Sequence, residues 1–267
     1  MSGTDQTAAA LFRAGKLDEA VAAAQAGLRK SPTDLSARVL LGELLVFTGN
    51  LERADVVLDA ASAIDPTTAL VVAEFRQLIR ADMARRQLFR DGRVPEFLAD
   101  PTGTLRLQLA ALVALRAGDL AEAVRQTEAA EAARPRTPGH HGDAAFDDMR
   151  DADDLLAGSF EVLTTTGTYF WIPTERVQTL EFHAPKRPRD LIWRRASMTV
   201  ADGPDGEVYL PAIYASDDAM TDTLRLGRET DWRQAEGGPV RGVGQHLFLI
   251  GEDALSMMEL GNIRFGA

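Results

Sequence analysis

The 267-residue chain contains no cysteine, which excludes disulfides, thiolate metal sites and cysteine nucleophiles. It also lacks any run of 18 apolar residues, and its opening Met-Ser-Gly-Thr-Asp-Gln has no basic region leading into an apolar core. Export and membrane insertion are therefore not expected, and a cytoplasmic location is. Histidine is scarce: His140, His141, His183 and His246 are all there are, and none shows an H-E-x-x-H spacing. His140-His141 falls in a stretch rich in proline and glycine and reads as a solvated pair. No G-x-S-x-G elbow and no phosphate-cradling G-x-x-x-x-G-K-[ST] is present, and Gly242-Val-Gly is too short and too late in the chain for a dinucleotide fingerprint. Asp147, Asp148, Asp151, Asp153 and Asp154 are dense but lack calcium-loop order, so they read as helix-start charges or a solvated face. The expectation is no catalytic residue, no metal and no cofactor.

What the chain does have is a ladder of prolines at Pro32, Pro66, Pro101 and Pro135, stepping 34, 35 and 34 residues. A period near 34 is the signature of stacked two-helix repeats. Ala14-Gly15-Lys16-Leu17 recurs as Thr48-Gly49-Asn50-Leu51 and Ala117-Gly118-Asp119-Leu120, each time ahead of an apolar periodic stretch. Each copy reads as a turn into a second helix, with glycine for the left-handed turn and Asn50 or Asp119 as cap. In this frame Gly42, Ala54 and Ala61 let helix axes approach while Leu41, Leu45 and Leu58 fill the space between them, a pattern similar to tetratricopeptide repeats. The third unit departs from it. Arg93 and Glu96 stand where small or apolar residues are expected, so residues 67–90 read as one longer helix ending in an Asp91-Gly92 break. The rival reading is an ordinary helical bundle with accidental spacing.

Residues 1–135 carry 16 basic and 18 acidic side chains, against 13 and 22 in 136–267, so most of the net charge of −11 belongs to the second half. That field repels a phosphate backbone, and nucleic acid is not an expected partner. The local basic patch, Lys186-Arg187-Pro188-Arg189 with Arg194-Arg195, reads as a solvated, proline-stiffened loop. Residues 136–150 read as a linker. Beyond them, period-2 runs such as 160–163, 169–172, 177–182, 198–200, 208–210 and 246–250, separated by turn residues, predict a mainly antiparallel β-rich domain over 151–267 with a short helix near 146–156. The fold class is therefore α+β: an N-terminal TPR-like α-solenoid over 1–135, then the β-rich domain.

Asp151-Ala-Asp-Asp154, Gly167-Thr-Tyr-Phe-Trp-Ile-Pro173, Pro188-Arg-Asp-Leu-Ile-Trp193, Leu210-Pro211 with Tyr214, Leu226-Gly-Arg-Glu-Thr-Asp-Trp232 and Gly242-Val-Gly-Gln245 follow one another in an order that resembles the ImpE family, also called SciE or TagJ. The resemblance spans nearly the whole chain. It implies a non-enzymatic accessory protein of bacterial type VI secretion that binds the N-terminal helix of the small sheath subunit, TssB, and is connected with sheath handling by the ClpV unfoldase. The alternative is a hydrolase or small-ligand-binding β domain targeted by the helical repeats.

A solenoid of this kind would grip a partner helix on its concave face. The frame assigns Val39, Glu43, Val46, Glu74, Leu78, Gln108, Leu112 and Leu115 to that face. A second candidate surface is an aromatic pocket of Tyr169, Trp171, Trp193, Tyr214 and Trp232, although core packing is the commoner fate of such rings. Among the family-motif residues Trp171, Pro173, Arg189, Asp190, Trp193, Arg228, Asp231 and Trp232, a structural role is expected, with Arg189–Asp190 and Arg228–Asp231 bonding internally.

Overall fold

A computed structural model describes residues 7–216 and 220–266. The opening residues 1–6, on which the expectation of no export signal rests, lie outside them.

Three helical hairpins follow from local chemistry: α1 (Ala8–Arg13) with α2 (Leu17–Lys30), α3 (Leu35–Phe47) with α4 (Leu51–Ile64), and α6 (Gly103–Arg116) with α7 (Leu120–Ala133). At the turn of the second hairpin Gly49 takes φ +75°, a conformation that any Cβ strains. The next residue, Asn50, then accepts a bond from the Arg53 amide, and Asp119 does the same for Glu122. Gly42 sits where an added Cβ would come 3.0 Å from Leu58, so α3 and α4 approach closely there. α5 (Ala69–Asp91) is a single long helix closed by left-handed Gly92, as the third unit suggested.

In place of a second helix after α5, the chain runs extended and joins the β-rich half. The Glu96 amide donates to the Tyr169 carbonyl at 2.9 Å, and the Trp171 amide donates back to Glu96 at 3.2 Å. The polar residues that broke the repeat pattern thus belong to a strap along a strand.

The first hairpin shows a long-range repair. At the position of Asn50 and Asp119 it has Lys16, which makes no side-chain cap. The acceptor comes from Asp222, in the short helix α8 (Asp222–Arg225), whose Oδ2 takes the Leu17 amide at 2.9 Å across 205 residues. Arg225 pairs with Asp18 at 3.0 Å, and Arg228 donates to the Phe12 and Arg13 carbonyls at the end of α1. The C-terminal half therefore completes the N-terminal repeat.

The second half is built on an antiparallel sheet of β1 (Gly139–His141), β2 (Ala144–Phe146), β4 (Ser159–Leu163), β5 (Tyr169–Pro173), β6 (Val177–Phe182), β7 (Trp193–Val200), β8 (Asp205–Pro211) and β13 (Asn262–Phe265), in the order β2-β1-β13-β6-β7-β8-β4-β5. A three-stranded sheet of β3 (Met149–Asp151), β11 (Leu247–Ile250) and β12 (Asp253–Ser256) and the hairpin of β9 (Thr230–Arg233) and β10 (Arg241–Gly244) complete it. Alternation along the strands divides the large sheet's two faces. Phe160, Val162, Phe170 and Ile172 pack into a core internal to the β-rich half, whereas Leu163, Tyr169 and Trp171 join the core that runs into α3, α5 and α6.

Two expectations are corrected here. The linker expected over 136–150 is folded: β1, β2 and most of β3 lie within it. Arg134 forks onto Asp148, the Thr137 amide donates to the same carboxylate, and Gly139 packs so tightly that a Cβ would meet the Arg264 carbonyl at 2.3 Å. Proline and glycine here serve close pairing rather than freedom. No helix forms over 146–156 either, because its aspartates are used as acceptors for loops. Asp153 takes the Leu155 and Gly242 amides and Arg241, and Asp154 takes the Val240 amide.

Candidate functional site

The helical and β-rich halves meet along α5. Its apolar stripe, including Phe75, Leu78 and Ile79, continues into polar Asp82 and Arg85, and all of these are buried. Arg85 forks onto Glu161 of β4, with Nε to Oε1 at 2.9 Å and Nη2 to Oε2 at 2.7 Å, and Nη2 also donates to the Ile213 carbonyl. Glu161 points to the helices because period-2 alternation puts it opposite Phe160 and Val162. Tyr169 donates to the same carboxylate, and the Trp171 indole donates to Tyr169. On the far side His246 lies 2.9 Å from Asp151 and 3.5 Å from Glu161, its ring stacked on Tyr214 with centroids 3.8 Å apart, and the Tyr214 hydroxyl donates to Asp151.

Burial and charge oppose each other throughout this cluster. Burial alone would raise the Glu161 carboxyl, but Arg85 and His246 beside it hold it well below the usual carboxylate range. Burial works against a charged His246, yet Asp151 and Glu161 leave its pKa raised. Burial, and then Asp151, push Tyr214 far up. These groups form a buried ionic seam. The void beside His246 and Glu161 is about 10 Å³, room for at most one water molecule and not for a substrate.

The face expected to be an open trough is largely filled by the chain's own sheet. Val46, Leu78, Gln108 and Leu112 are buried, and Val39 and Leu115 are half-buried against the helical core. Glu74 accepts from the Tyr209 hydroxyl of β8 at 2.8 Å. Glu43 is 4% exposed, and burial raises its carboxyl to about 7 even with Arg189 and Arg187 nearby. A solenoid face with this much apolar area is covered from within because the sheet supplies matching aromatics: Trp193 meets Phe75 edge-on at 5.9 Å, and the Arg189 guanidinium lies over the same Phe75 ring at 4.6 Å.

The motif residues fall on both sides of this contact. Trp171, Trp193 and Pro173 are buried. The expected internal pairs are replaced by other partners: Asp190 accepts the Lys186 and Arg187 amides, Arg228 reaches the end of α1, and Asp231 accepts the neighbouring Trp232 amide. A backbone amide adjacent to a carboxylate outcompetes a guanidinium that has helix-end carbonyls to satisfy. Trp232 alone of the five aromatics stays substantially exposed, at 39%.

Two openings of several hundred Å³ lie at the seam. One, of about 390 Å³, lies between the end of α3, the middle of α5 and the segment after β8, and is lined by Val46, Phe47, Gly49, Asp82, Arg85 and Ile213 among others. The other, of about 330 Å³, is lined by Phe89, Leu115, Ala215, Pro239, Arg241 and Val243 among others. They share Ser216 as a common wall. Of the eight residues assigned to the concave face, Val46 and Leu115 are the ones that line these openings. Sequence reasoning missed Asp82, Arg85 and Glu161 and did not join Asp151 or His246 to them; the available signal was Glu161 itself, a charge inside a largely apolar strand.

Known proteins share this fold. Residues 143–264 match the family described as ImpE protein, and residues 11–74 match the tetratricopeptide repeat. The type VI secretion system accessory component TagJ of Pseudomonas aeruginosa is 34% identical over 96% of this chain and 89% of its own length. The crystal structure of protein VPA1032 from Vibrio parahaemolyticus superposes with a TM-score of 0.91, covering 97% of both chains at 27% identity. Helical repeats followed by an antiparallel β-rich half are thus a shared fold, and the chain belongs to the ImpE family.

Proposed function

We propose that this chain is a non-enzymatic adaptor of type VI secretion, working in the cytoplasm. In this reading it grips a helical segment of the sheath small subunit, TssB-like, and assists sheath handling by a ClpV-type unfoldase. The observation that carries the reading is the pair of openings at the seam, where Val46, Phe47, Phe89 and Leu115 offer apolar contacts along the ends of α3, α5 and α6. An amphipathic partner helix gains about 25 cal/mol per Å² of apolar area buried there, before the costs of association. A further fact supports it: a relative similar over almost the whole chain is named as a type VI accessory component. Among the described residues no helix is long and apolar enough to cross a membrane.

Titration calorimetry of the full chain with the isolated N-terminal peptide of a sheath small subunit tests the reading. Saturable binding is expected. No heat and no binding, with the chain shown folded by circular dichroism, would remove the adaptor reading.

A further inference from the structure

The larger opening contains an unsatisfied polar pair. Asp82 is 1% exposed, and its Oδ1 has no hydrogen-bond partner. Its other oxygen accepts from Arg86 Nε at 3.3 Å. Arg85 spends Nε and Nη2 on Glu161 and Ile213, while its Nη1 stands 3.5 Å from Asp82 Oδ1 without forming a hydrogen bond to it. A buried acceptor and a guanidinium edge are thus left side by side at the wall of a 390 Å³ opening. The charge of Asp82 is balanced by Arg85 and Arg86, but Oδ1 is left without a hydrogen bond; a buried acceptor in that state is costly, so the site favours an occupant that donates to it.

The chemistry of that occupant is narrow. A carboxylate would accept from Arg85 but face Asp82 with like charge. An ammonium or guanidinium would donate to Asp82 but face Arg85 and Arg86 with like charge. A neutral group carrying donor and acceptor together satisfies both, and the primary carboxamide has them in one plane. Val46, Phe47 and Ile213 supply apolar wall for the methylenes behind it. We propose that this opening is an anchor pocket for a glutamine or asparagine side chain of the bound partner segment. The proposal rests on reading the opening as part of the partner's seat, but its test uses the chain alone, so failure of the sheath-peptide titration and failure of this pocket are separate results.

The test is a nuclear magnetic resonance titration of the full chain with three probes: N-acetylglutamine methylamide and the equally capped glutamate and lysine. Saturable shifts of the Phe47, Gly49 and Ile213 amides are expected with capped glutamine, with the two charged probes at least about tenfold weaker, the scale of one hydrogen bond to a buried charge left unmade. The variant Asp82→Asn keeps the shape and turns the acceptor into a possible donor, so preference should move to capped glutamate. Equal shifts from all three probes, or none from any, overturn the proposal, as does an Asp82→Asn protein that folds and keeps the glutamine preference. If that variant does not fold, the three-probe comparison on the unaltered chain decides alone.

Discussion

Arg85 and Glu161 meet in a two-pronged ion pair across the seam although 76 residues separate them. Both side chains are almost wholly buried, at 4% and 2% exposure, so the pair is the main polar tie between α5 and the large sheet. A buried pair of this kind adds little net stability, but removing one member strands the other.

The first prediction follows directly. Arg85→Met should cost about 3–5 kcal/mol of unfolding free energy, because Glu161 and Asp82 lose their shared counter-charge inside the protein. The double variant Arg85→Met/Glu161→Leu should recover part of that loss, because Asp82 still lacks Arg85 and Tyr169 and His246 lose Glu161. Urea unfolding of the two singles and the double completes the cycle. Additive losses would mean the residues do not act as a pair.

Glu43 gives a pH dependence of definite sign. Its carboxyl rises from an ordinary 4.5 to about 7 on folding, chiefly through burial. The folded state therefore holds the proton more tightly, and this contribution is fully present below pH 4.5 and is lost as pH climbs through 7. At pH 8 it amounts to an unfavourable term on the order of 3 kcal/mol. Glu43→Gln should stabilise the protein at pH 8 much more than at pH 5. His246, also raised on folding, adds a slope of the same sign, so the variant should flatten the pH 5–8 profile without levelling it. Unchanged melting temperatures at both pH values would refute the assignment.

The cap borrowed from Asp222 predicts a local effect far from the altered residue. Asp222→Ala should cost about 1 kcal/mol, typical of a lost N-terminal cap, and should speed hydrogen exchange of the Leu17 amide, which donates to it. Lys16→Asn in the same background should recover the lost stability by capping the Glu19 amide, as Asn50 caps that of Arg53 in the next hairpin, while exchange at Leu17 stays fast. Stability that stays low in the double variant would show that Asp222 does more than cap.

Partner binding should be sensitive at Leu115 but not testable at Leu112. Leu112 is buried in the helical core, so a charge there would disrupt folding, whereas half-buried Leu115 lines the smaller opening. Leu115→Glu should weaken sheath-peptide binding at least about tenfold, equivalent to 1.4 kcal/mol, with the helical signal in circular dichroism unchanged. Wild-type affinity in that variant would move the binding surface elsewhere.

The helical half was legible because its determinants are local. Turn glycines, caps and the 3.6-residue period all act within a few positions of one another, and even the long α5 announced itself through the break at Gly92. Strands β4 to β8 were legible for the same reason. By contrast β1, β2, β9 and β12 are short and contain exposed or polar residues; β1 is held by β13 from far along the chain, while β2, β9 and β12 pair in hairpins with their neighbours and carry no period-2 apolar run of their own. Val46, Leu78 and Leu112, expected to line a concave face, are buried, and that face is in part covered. Nothing local could say that Trp171, Trp193 and Tyr209 would cover much of it. The seam residues were invisible as a group: each is one charge or ring amid ordinary sequence, and only folding brings Arg85, Glu161 and His246 together.

The strap at Glu96 bears on how this protein behaves when crowded. By bonding to Tyr169 and Trp171 it occupies the outer side of β5, and the opposite border of the large sheet ends in three-residue β2. Neither margin leaves a long free ladder on which a stray strand could grow. Many copies gathered around one assembly would thus stay individually folded rather than zip into fibres.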